Sequence, residues 1–290
     1  MGARRIIQIS DTHLWSRGGP MAANFRALAE LVNRQVRPDL VVHTGDVVAL
    51  TPDSDADRAA AAGLLECIEA PMWVLPGNHD VGGLPGRPWM GLEVTPERLR
   101  AHRATFGVDR WLHVLDDEWA LVGLNSQLIG SGLPEETVQW EWLRATVPSI
   151  GGRRVVLFTH KPVWWPSAEH PPDHPELGLT DGLSRTLLEA LAECGLVAVA
   201  TGHLHRFRLG AQDGVLEVWA PATGVLARGP HLPPGAEGLG IVELTLDRGG
   251  IEARFVTVPG LTERDPQDIP EVRAVIDELA VRAEAHGPHG

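Results

Sequence analysis

The chain has 290 residues, of which 43% are hydrophobic and 22% are charged, as in an ordinary folded protein rather than a disordered one. The formal net charge of -13 argues against a broad nucleic-acid surface, because such a surface carries basic patches. No apolar run approaches the roughly 18 residues of a membrane-spanning helix. Cys67 and Cys194 fall in helix-like stretches, far from a zinc-binding spacing. We therefore expect a cytoplasmic protein with reduced core cysteines and no membrane association, and its oligomeric state stays open.

The first two thirds of the chain alternate predicted strands and helices. Short apolar runs predict strands at residues 5–10, 40–44, 72–76, 155–158 and 196–200. Helices are predicted over residues 22–36, 56–68, 135–147 and 183–192. Such alternation predicts a largely parallel sheet with both faces covered.

After His205 the pattern changes to short strands separated by turn residues. These strands are predicted at residues 207–209, 215–219, 240–246 and 251–258. They indicate a second, antiparallel sheet. A terminal helix is predicted over residues 269–285. We expect one domain over residues 1–265, with residues 266–290 as a helix and tail packed on it.

Five short blocks of metal-type ligands directly follow predicted strands. The blocks are Asp11-Thr12-His13, Gly45-Asp46, Gly77-Asn78-His79-Asp80, Thr159-His160 and Gly202-His203-Leu204-His205. In open α/β sheets, ligands bind outside the carboxyl ends of the strands, so we expect these side chains to converge in one crevice. Taken singly, each block is better explained by a loop, a turn or a strand-end cap. Their joint occurrence predicts a site for borderline metals such as Mn, Fe or Zn.

In this order, the five blocks resemble the calcineurin-like metallophosphoesterase superfamily, with every element present between Asp11 and His205. Two of the blocks look like the class III cyclic-nucleotide phosphodiesterase branch of the superfamily. They are the first block with its neighbours, Ser10-Asp11-Thr12-His13-Leu14, and the last block, Gly202-His203-Leu204-His205. The protein phosphatases of the superfamily carry Asp-Arg-Gly after the Gly-Asp block, whereas Val47 follows Asp46 here, which disfavours that branch. The resemblance implies an α/β fold in which two mixed β-sheets form a sandwich flanked by helices.

The resemblance also implies a dinuclear site of two transition metal ions, Mn or Fe first and Zn as an alternative. The first ion would be held by Asp11, His13, Asp46 and His205, and the second by Asp46, Asn78, His160 and His203. A hydroxide bridging the two metals would attack phosphorus. His79 would protonate the leaving oxygen, and Asp80 would orient the His79 ring.

The expected activity is hydrolysis of a small phosphoester, in first place a phosphodiester such as a cyclic nucleotide. A phosphomonoesterase, acting on a protein or a small molecule, is the alternative enzyme. A scaffold of this fold that has lost its chemistry is the alternative of another class. Intact ligands and His79 argue against a scaffold.

Two long irregular segments, residues 81–90 and 161–182, follow ligand blocks and are expected at the rim of the pocket. The second contains Trp164 and Trp165, whose aromatic faces suit a nucleobase or another flat group. A stiff surface loop explains that segment equally well. Asn125 follows the strand at residues 120–124 and is a further candidate substrate contact, with an ordinary loop position as the alternative.

Overall fold

The computed structural model of the chain describes residues 2–86, 89–165, 176–228 and 232–286, and these residues form eleven strands and seven α-helices. The strands build two mixed sheets, and the helices cover the outer face of each. This arrangement confirms the predicted two-sheet α/β fold. Within the described ranges, no helix is both long and apolar enough to span a membrane.

The first sheet contains five strands, and its parallel centre comes from the start of the chain. In spatial order the strands are β11 (Gly250–Val256), β10 (Ile241–Asp247), β1 (Arg4–Ile9), β2 (Leu40–His43) and β3 (Met72–Val74). Strands β1, β2 and β3 run parallel, so their carboxyl ends lie at one edge of the sheet. Strands β10 and β11 are antiparallel additions beside β1.

The second sheet contains six strands. In spatial order they are β4 (Trp111–Val114), β5 (Trp119–Gly123), β6 (Arg154–Phe158), β7 (Gly195–Thr201), β9 (Val215–Trp219) and β8 (Arg208–Gln212). Strands β5, β6, β7 and β9 are parallel neighbours, and antiparallel β4 and β8 form the edges.

The four strands after His205 do not form an antiparallel sheet of their own, so that prediction is wrong. Strands β8 and β9 extend the second sheet, whereas β10 and β11 extend the first. The alternation of apolar residues identifies a strand and its buried face, but it does not identify the partner strand. Pairing of Ile6 with Leu244 across β1 and β10 joins positions 238 residues apart by their sequence numbers.

Seven helices cover the sheets, and the predicted ones are present with shifted ends. They are α1 (Pro20–Leu31), α2 (Asp55–Leu65), α3 (Asn78–Val81), α4 (Pro96–Phe106), α5 (Pro134–Ile150), α6 (Asp181–Ala190) and α7 (Pro270–His286). The predicted helix at residues 22–36 ends in a π-helical turn, Val32–Val36. Helix α4 was not predicted because its mainly polar sequence has a single strongly buried apolar residue, Leu99.

Apolar side chains divide into three layers set by the alternation of the strands. In β1, Ile6 belongs to the cluster between the sheets, whereas Ile7 and Ile9 belong to the cluster beneath α1 and α2. Ile269 and Val272, at the start of α7, join that same outer cluster. The division at residue 265 stays a prediction. Both cysteines differ from the expected core position, because Cys67 is exposed and Cys194 is only partly buried.

The layer between the sheets should dominate stability. Leu244 is fully buried there, so Leu244→Ala should lower the free energy of unfolding by about 2–5 kcal/mol through lost burial and a residual cavity. Leu209 on edge strand β8 is 44% exposed, and Leu209→Ala is the matched control, expected to change stability by less than about 1 kcal/mol. Urea unfolding of both variants measures the difference, and equal losses would contradict this layer assignment.

Candidate metal centre

The ligand blocks lie where the carboxyl ends of the two sheets meet. Strands β1, β2 and β3 of the first sheet lead into Asp11, Asp46 and Asn78, and β6 and β7 of the second lead into His160 and His203. Acidic and imidazole side chains from these loops form three overlapping groups, each with its ligand atoms within 4.8 Å of one another. The groups are Asp11, His13 and His205; His13, Asp46 and His79; and Asp46, His160 and His203.

Asp46 belongs to two of these three groups. Its Oδ1 is 3.4 Å from His160 Nε2, and its Oδ2 is 3.7 Å from His79 Nε2. Asn78 completes the second side, with its Oδ1 3.1 Å from His160 Nε2. Its membership in two groups is the position expected of a carboxylate shared between two ions. All seven predicted ligands are brought together, and their division between two ions stays a prediction.

Five of the predicted ligands have left-handed backbone conformations. Among the described residues, eight that are not glycine have a positive φ, and the ligands among them are Asp11 (55°), His13 (48°), Asp46 (56°), His203 (72°) and His205 (51°). Such conformations are uncommon for residues with a Cβ and concentrate at functional sites. The strain is located at the loops that turn these side chains toward one another.

Backbone carbonyls orient four of the histidine rings. The contacts are His79 Nδ1 to Ala49 O at 2.6 Å, His160 Nδ1 to Thr44 O at 2.7 Å, His203 Nε2 to Glu176 O at 2.7 Å and His205 Nδ1 to Val225 O at 2.9 Å. Because a carbonyl only accepts, each of these nitrogens carries a proton. In a neutral ring the opposite nitrogen then directs a lone pair at the ligand groups, which is the usual arrangement of metal-binding histidines.

The donor set fits metal cations. Asp11 Oδ1 is buried with no hydrogen-bond donor among the described residues and lies 3.3 Å from His205 Nε2, which in the neutral ring presents a lone pair because the Val225 carbonyl holds the proton on Nδ1. Two such electron-rich atoms repel each other unless positive charge lies between them. Burial disfavours a charged ring, yet the carboxylates of Asp46 and Asp11 raise the pKa of His160 to about 9, so this pocket attracts a cation.

Asp80 has a different position from the one predicted. Its carboxylate accepts hydrogen bonds from the backbone N–H groups of Gly77 (2.8 Å), Val48 (2.9 Å) and Val47 (3.2 Å). The Ala49 carbonyl, rather than Asp80, is hydrogen-bonded to His79 Nδ1. Helix α3 begins at Asn78 and turns consecutive side chains about 100° apart, so Asp80 faces the loop after Asp46. Asp80 is therefore a positioning residue that ties together two ligand loops.

The three predicted substrate contacts are not at the metal groups. Asn125 is fully buried and bonds Asp109, Gln127 and Gln139. Trp164 packs against the apolar cluster on the outer face of the second sheet, and the Trp165 ring lies 6.5 Å from that of Trp219. None of the three lines the cavity at the metal groups, as far as the described ranges show.

The long segments differ in their relation to that cavity. Glu176 and Leu177 line it, so the second segment reaches the rim as predicted, although residues 166–175 lie outside the described part. Residues 81–86 of the first segment are described and are not part of the lining.

His43 connects two ligand loops, a role that sequence analysis missed. Gly45 N–H donates to His43 Nδ1 (3.1 Å), which leaves the proton on Nε2 to donate to Thr12 Oγ1 (2.9 Å). Thr12 in turn donates to the Val47 carbonyl (3.2 Å). Burial lowers the pKa of His43 to about 3, so the ring stays neutral and keeps this tautomer. Its place inside a predicted strand indicated only a core residue.

A buried ion pair beside His160 was also missed. Lys161 Nζ lies 2.7 Å from Glu176 Oε2, with side chains only 1% and 3% exposed. Glu176 also accepts the Leu84 N–H (2.6 Å) through Oε1, and its carbonyl contacts His203. The pair thus holds the carbonyl that orients a predicted ligand. The signal available in the sequence was that Lys161 is the only lysine of the chain.

Metal content tests the shared position of Asp46. Asp46→Asn removes charge between both groups, so it should lower the metal-to-protein ratio more than His13→Ala, which lies on one side. After reconstitution with Mn, elemental analysis should give close to two ions per wild-type chain. The variants His160→Ala and His203→Ala change residues of the same ligand group, so their metal-to-protein ratios should be alike. A ratio near one in the wild type, or equal losses from Asp46→Asn and His13→Ala, would contradict the shared ligand.

Stability tests the buried pair. Glu176→Gln leaves the Lys161 ammonium buried without its counter-charge, so it should lower the free energy of unfolding by about 3–5 kcal/mol. The double variant Lys161→Met/Glu176→Gln should recover part of the loss, because no unpaired charge remains. Glu97→Gln is the control: its pair with Arg100 is exposed and screened by solvent, so this variant should leave the free energy of unfolding nearly unchanged. Urea unfolding that gives Glu176→Gln and Glu97→Gln the same small effect would contradict the role of the pair.

Comparisons with known proteins agree with this geometry. The model of the calcineurin-like phosphoesterase family matches residues 4–207. The serine/threonine-protein phosphatase CPPED1 of Danio rerio is 26% identical over 250 residues, covering 82% of this chain and 75% of that protein. A probable glycerophosphodiester phosphodiesterase, GpdQ of Arcobacter nitrofigilis, is 26% identical over 212 residues, covering 69% and 71%.

Solved structures show the same fold at low identity. A purple acid phosphatase, PPD1 of yellow lupin, superposes with a TM-score of 0.61 at 13% identity, over 91% of this chain and 53% of that one. A dimetal phosphatase from Danio rerio gives a TM-score of 0.56 at 15% identity, over 88% and 99%. From the family match and the converging ligand blocks, we conclude that the chain belongs to the calcineurin-like phosphoesterase family and is a metallophosphoesterase, a hydrolase acting on ester bonds.

Proposed function

We propose that this protein hydrolyses small phosphodiesters at a dinuclear metal centre. The observation that carries the proposal is that Asp46 belongs to two overlapping ligand groups of one buried site, one with His13 and His79 and one with His160 and His203. Asp11, His13 and His205 would hold one ion with Asp46, and Asn78, His160 and His203 would hold the other. Mn and Fe suit this mixture of carboxylate and imidazole, with Zn as an alternative. When bound, two such ions polarise the phosphoryl group and lower the pKa of water.

His79 is the proposed proton donor to the leaving oxygen. Its Nδ1 proton is held by Ala49, which leaves Nε2 facing the centre, where it is 3.7 Å from Asp46 Oδ2. Burial lowers the pKa of His79 from its ordinary value, and the carboxylate of Asp46 opposes this. In the protonated ring, Nε2 would carry the proton that passes to the leaving oxygen, and the carboxylate of Asp46 beside it favours that form.

The charge of the cavity supports a diester over a monoester. Beyond the metal groups, the described lining contains a single cationic side chain, the exposed Arg228. A diester carries one negative charge near neutral pH, whereas a monoester carries close to two. The second candidate is a phosphomonoesterase, which the similarity to the protein phosphatase CPPED1 favours. Rates for matched mono- and diesters of nitrophenol would separate the two, and a strong preference for the monoester would reverse our choice.

Leaving-group dependence tests the role of His79. An alkoxide needs a proton to depart and a nitrophenolate does not, so His79→Ala should reduce kcat for an alkyl ester by about 10²–10⁴-fold and far less for a nitrophenyl ester. Metal content should stay at the wild-type value. His79→Gln is the matched control, since its amide is polar but cannot serve as an acid. A uniform loss for both leaving groups, or loss of metal, would instead make His79 a ligand or a structural residue.

A further inference from the structure

The cavity that contains the metal groups extends over a largely aliphatic surface. Its volume is about 520 Å³, within the range of small-molecule sites. His13, Asp46, His79 and His205 line one part of it. Aliphatic side chains from five separate segments line much of the rest: Met21, Leu50, Leu177, Leu226, Val272 and Ile276. We refer to these six residues as the aliphatic wall.

Polar recognition groups are few beside this wall. In the described lining, the charged residues apart from the metal groups are Glu176, Arg228 and Asp265. Glu176 is paired with Lys161, and Asp265 Oδ1 accepts the Gln267 N–H (2.9 Å). The same part of the lining contains no Phe or Trp. A nucleobase is recognised by stacking on aromatic rings and by hydrogen bonds to its edges, and the described wall offers little of either.

The aliphatic wall is continuous with the proposed proton donor. Leu50 directly follows Ala49, whose carbonyl holds the His79 ring, and Leu226 directly follows Val225, whose carbonyl holds His205. The loop that orients His79 and the loop that orients His205 therefore each supply one residue of the aliphatic wall. A substrate whose phosphorus lies at the metal groups therefore has an apolar surface available to one of its ester groups. Burial of such a group removes apolar surface from water on both sides.

We propose that the preferred substrates are phosphodiesters in which one ester group is an aliphatic chain, and that the aliphatic wall binds this chain. This inference rests on the proposed function and names its substrate class. It replaces the cyclic nucleotide as the first choice, because a ribose and a base match the wall poorly. Helix α7 determines this specificity through Val272 and Ile276, which lie one helical turn apart.

Binding of alkylphosphonates to the Mn-reconstituted protein tests the wall independently of turnover. From methyl- to hexylphosphonate, the dissociation constant in calorimetry should fall about two- to fourfold per methylene, and the heat-capacity change should become more negative with chain length. A dissociation constant that does not change along this series would overturn the inference.

Two variants locate the effect. Ile276→Asn should flatten the chain-length dependence, and Ile276→Phe should weaken the longest chains selectively by filling the cavity. Val281→Asn is the matched control, because Val281 is on the same helix but 67% exposed, and it should keep the full dependence. Equal chain-length dependence in the wild type and both Ile276 variants would overturn the assignment of the wall.

Turnover separates this inference from the proposed function. For p-nitrophenyl alkyl phosphates, kcat/KM should rise with chain length, and chelation of the metal should abolish it. Metal-dependent turnover without chain-length preference would overturn the inference and leave the proposed function standing. Loss of all metal-dependent turnover, with phosphonate binding still dependent on chain length, would overturn the proposed function alone.

Discussion

Hydrogen bonds between the two sheets at their carboxyl ends are the constraint on which the site depends. His160, after β6 of the second sheet, donates from Nδ1 to the Thr44 carbonyl after β2 of the first (2.7 Å). Gln8 of β1 donates to the Thr201 carbonyl of β7 (3.0 Å), and the His203 N–H donates to Asp11 Oδ2 (3.0 Å). These buried bonds fix the distance between the sheets. Predicted ligands that follow different strands therefore meet in groups of three, with the ligand atoms of each group within 4.8 Å of one another.

This closeness favours the binding of a cation. The unpaired Asp11 Oδ1 faces His205 Nε2 in a buried site, and five of the predicted ligands have left-handed backbones. The same crowding requires glycine at positions 45 and 77. A Cβ at Gly77 would collide with the Asp46 carboxylate, and one at Gly45 would lie 2.6 Å from His160 Nδ1. Because the fold maintains this arrangement, binding of cations and stability of the fold are linked, and each favours the other.

The same loops join the chemistry to recognition. Residues after β2 supply Asp46, then the carbonyl that holds His79, then the apolar side chain of Leu50. Charge is thus concentrated at one part of the cavity and aliphatic surface at the other, a division that suits a phosphoester with an apolar arm. Helix α7 contributes to the wall although it lies beyond the family match, which ends at residue 207. Specificity can therefore vary in the C-terminal region while the metal centre remains the same.

The sequence by itself determined the family and the position of the candidate ligands at strand ends, because these follow from residue types at short spacing and from local alternation of apolar residues. The tertiary structure alone decided which strands pair, since β10 and β11 join the first sheet through contacts more than 200 residues apart. It also decided that Asp80 binds backbone amides, that His43 joins two loops, and that Lys161 is paired with Glu176. It placed Asn125 in a buried hydrogen-bond network and Trp164 and Trp165 beside other apolar or aromatic side chains, and none of the three is in the described lining of the cavity. The physical reason is that a side chain's partner depends on which distant segments fold against it, and residue spacing along the chain carries no record of that.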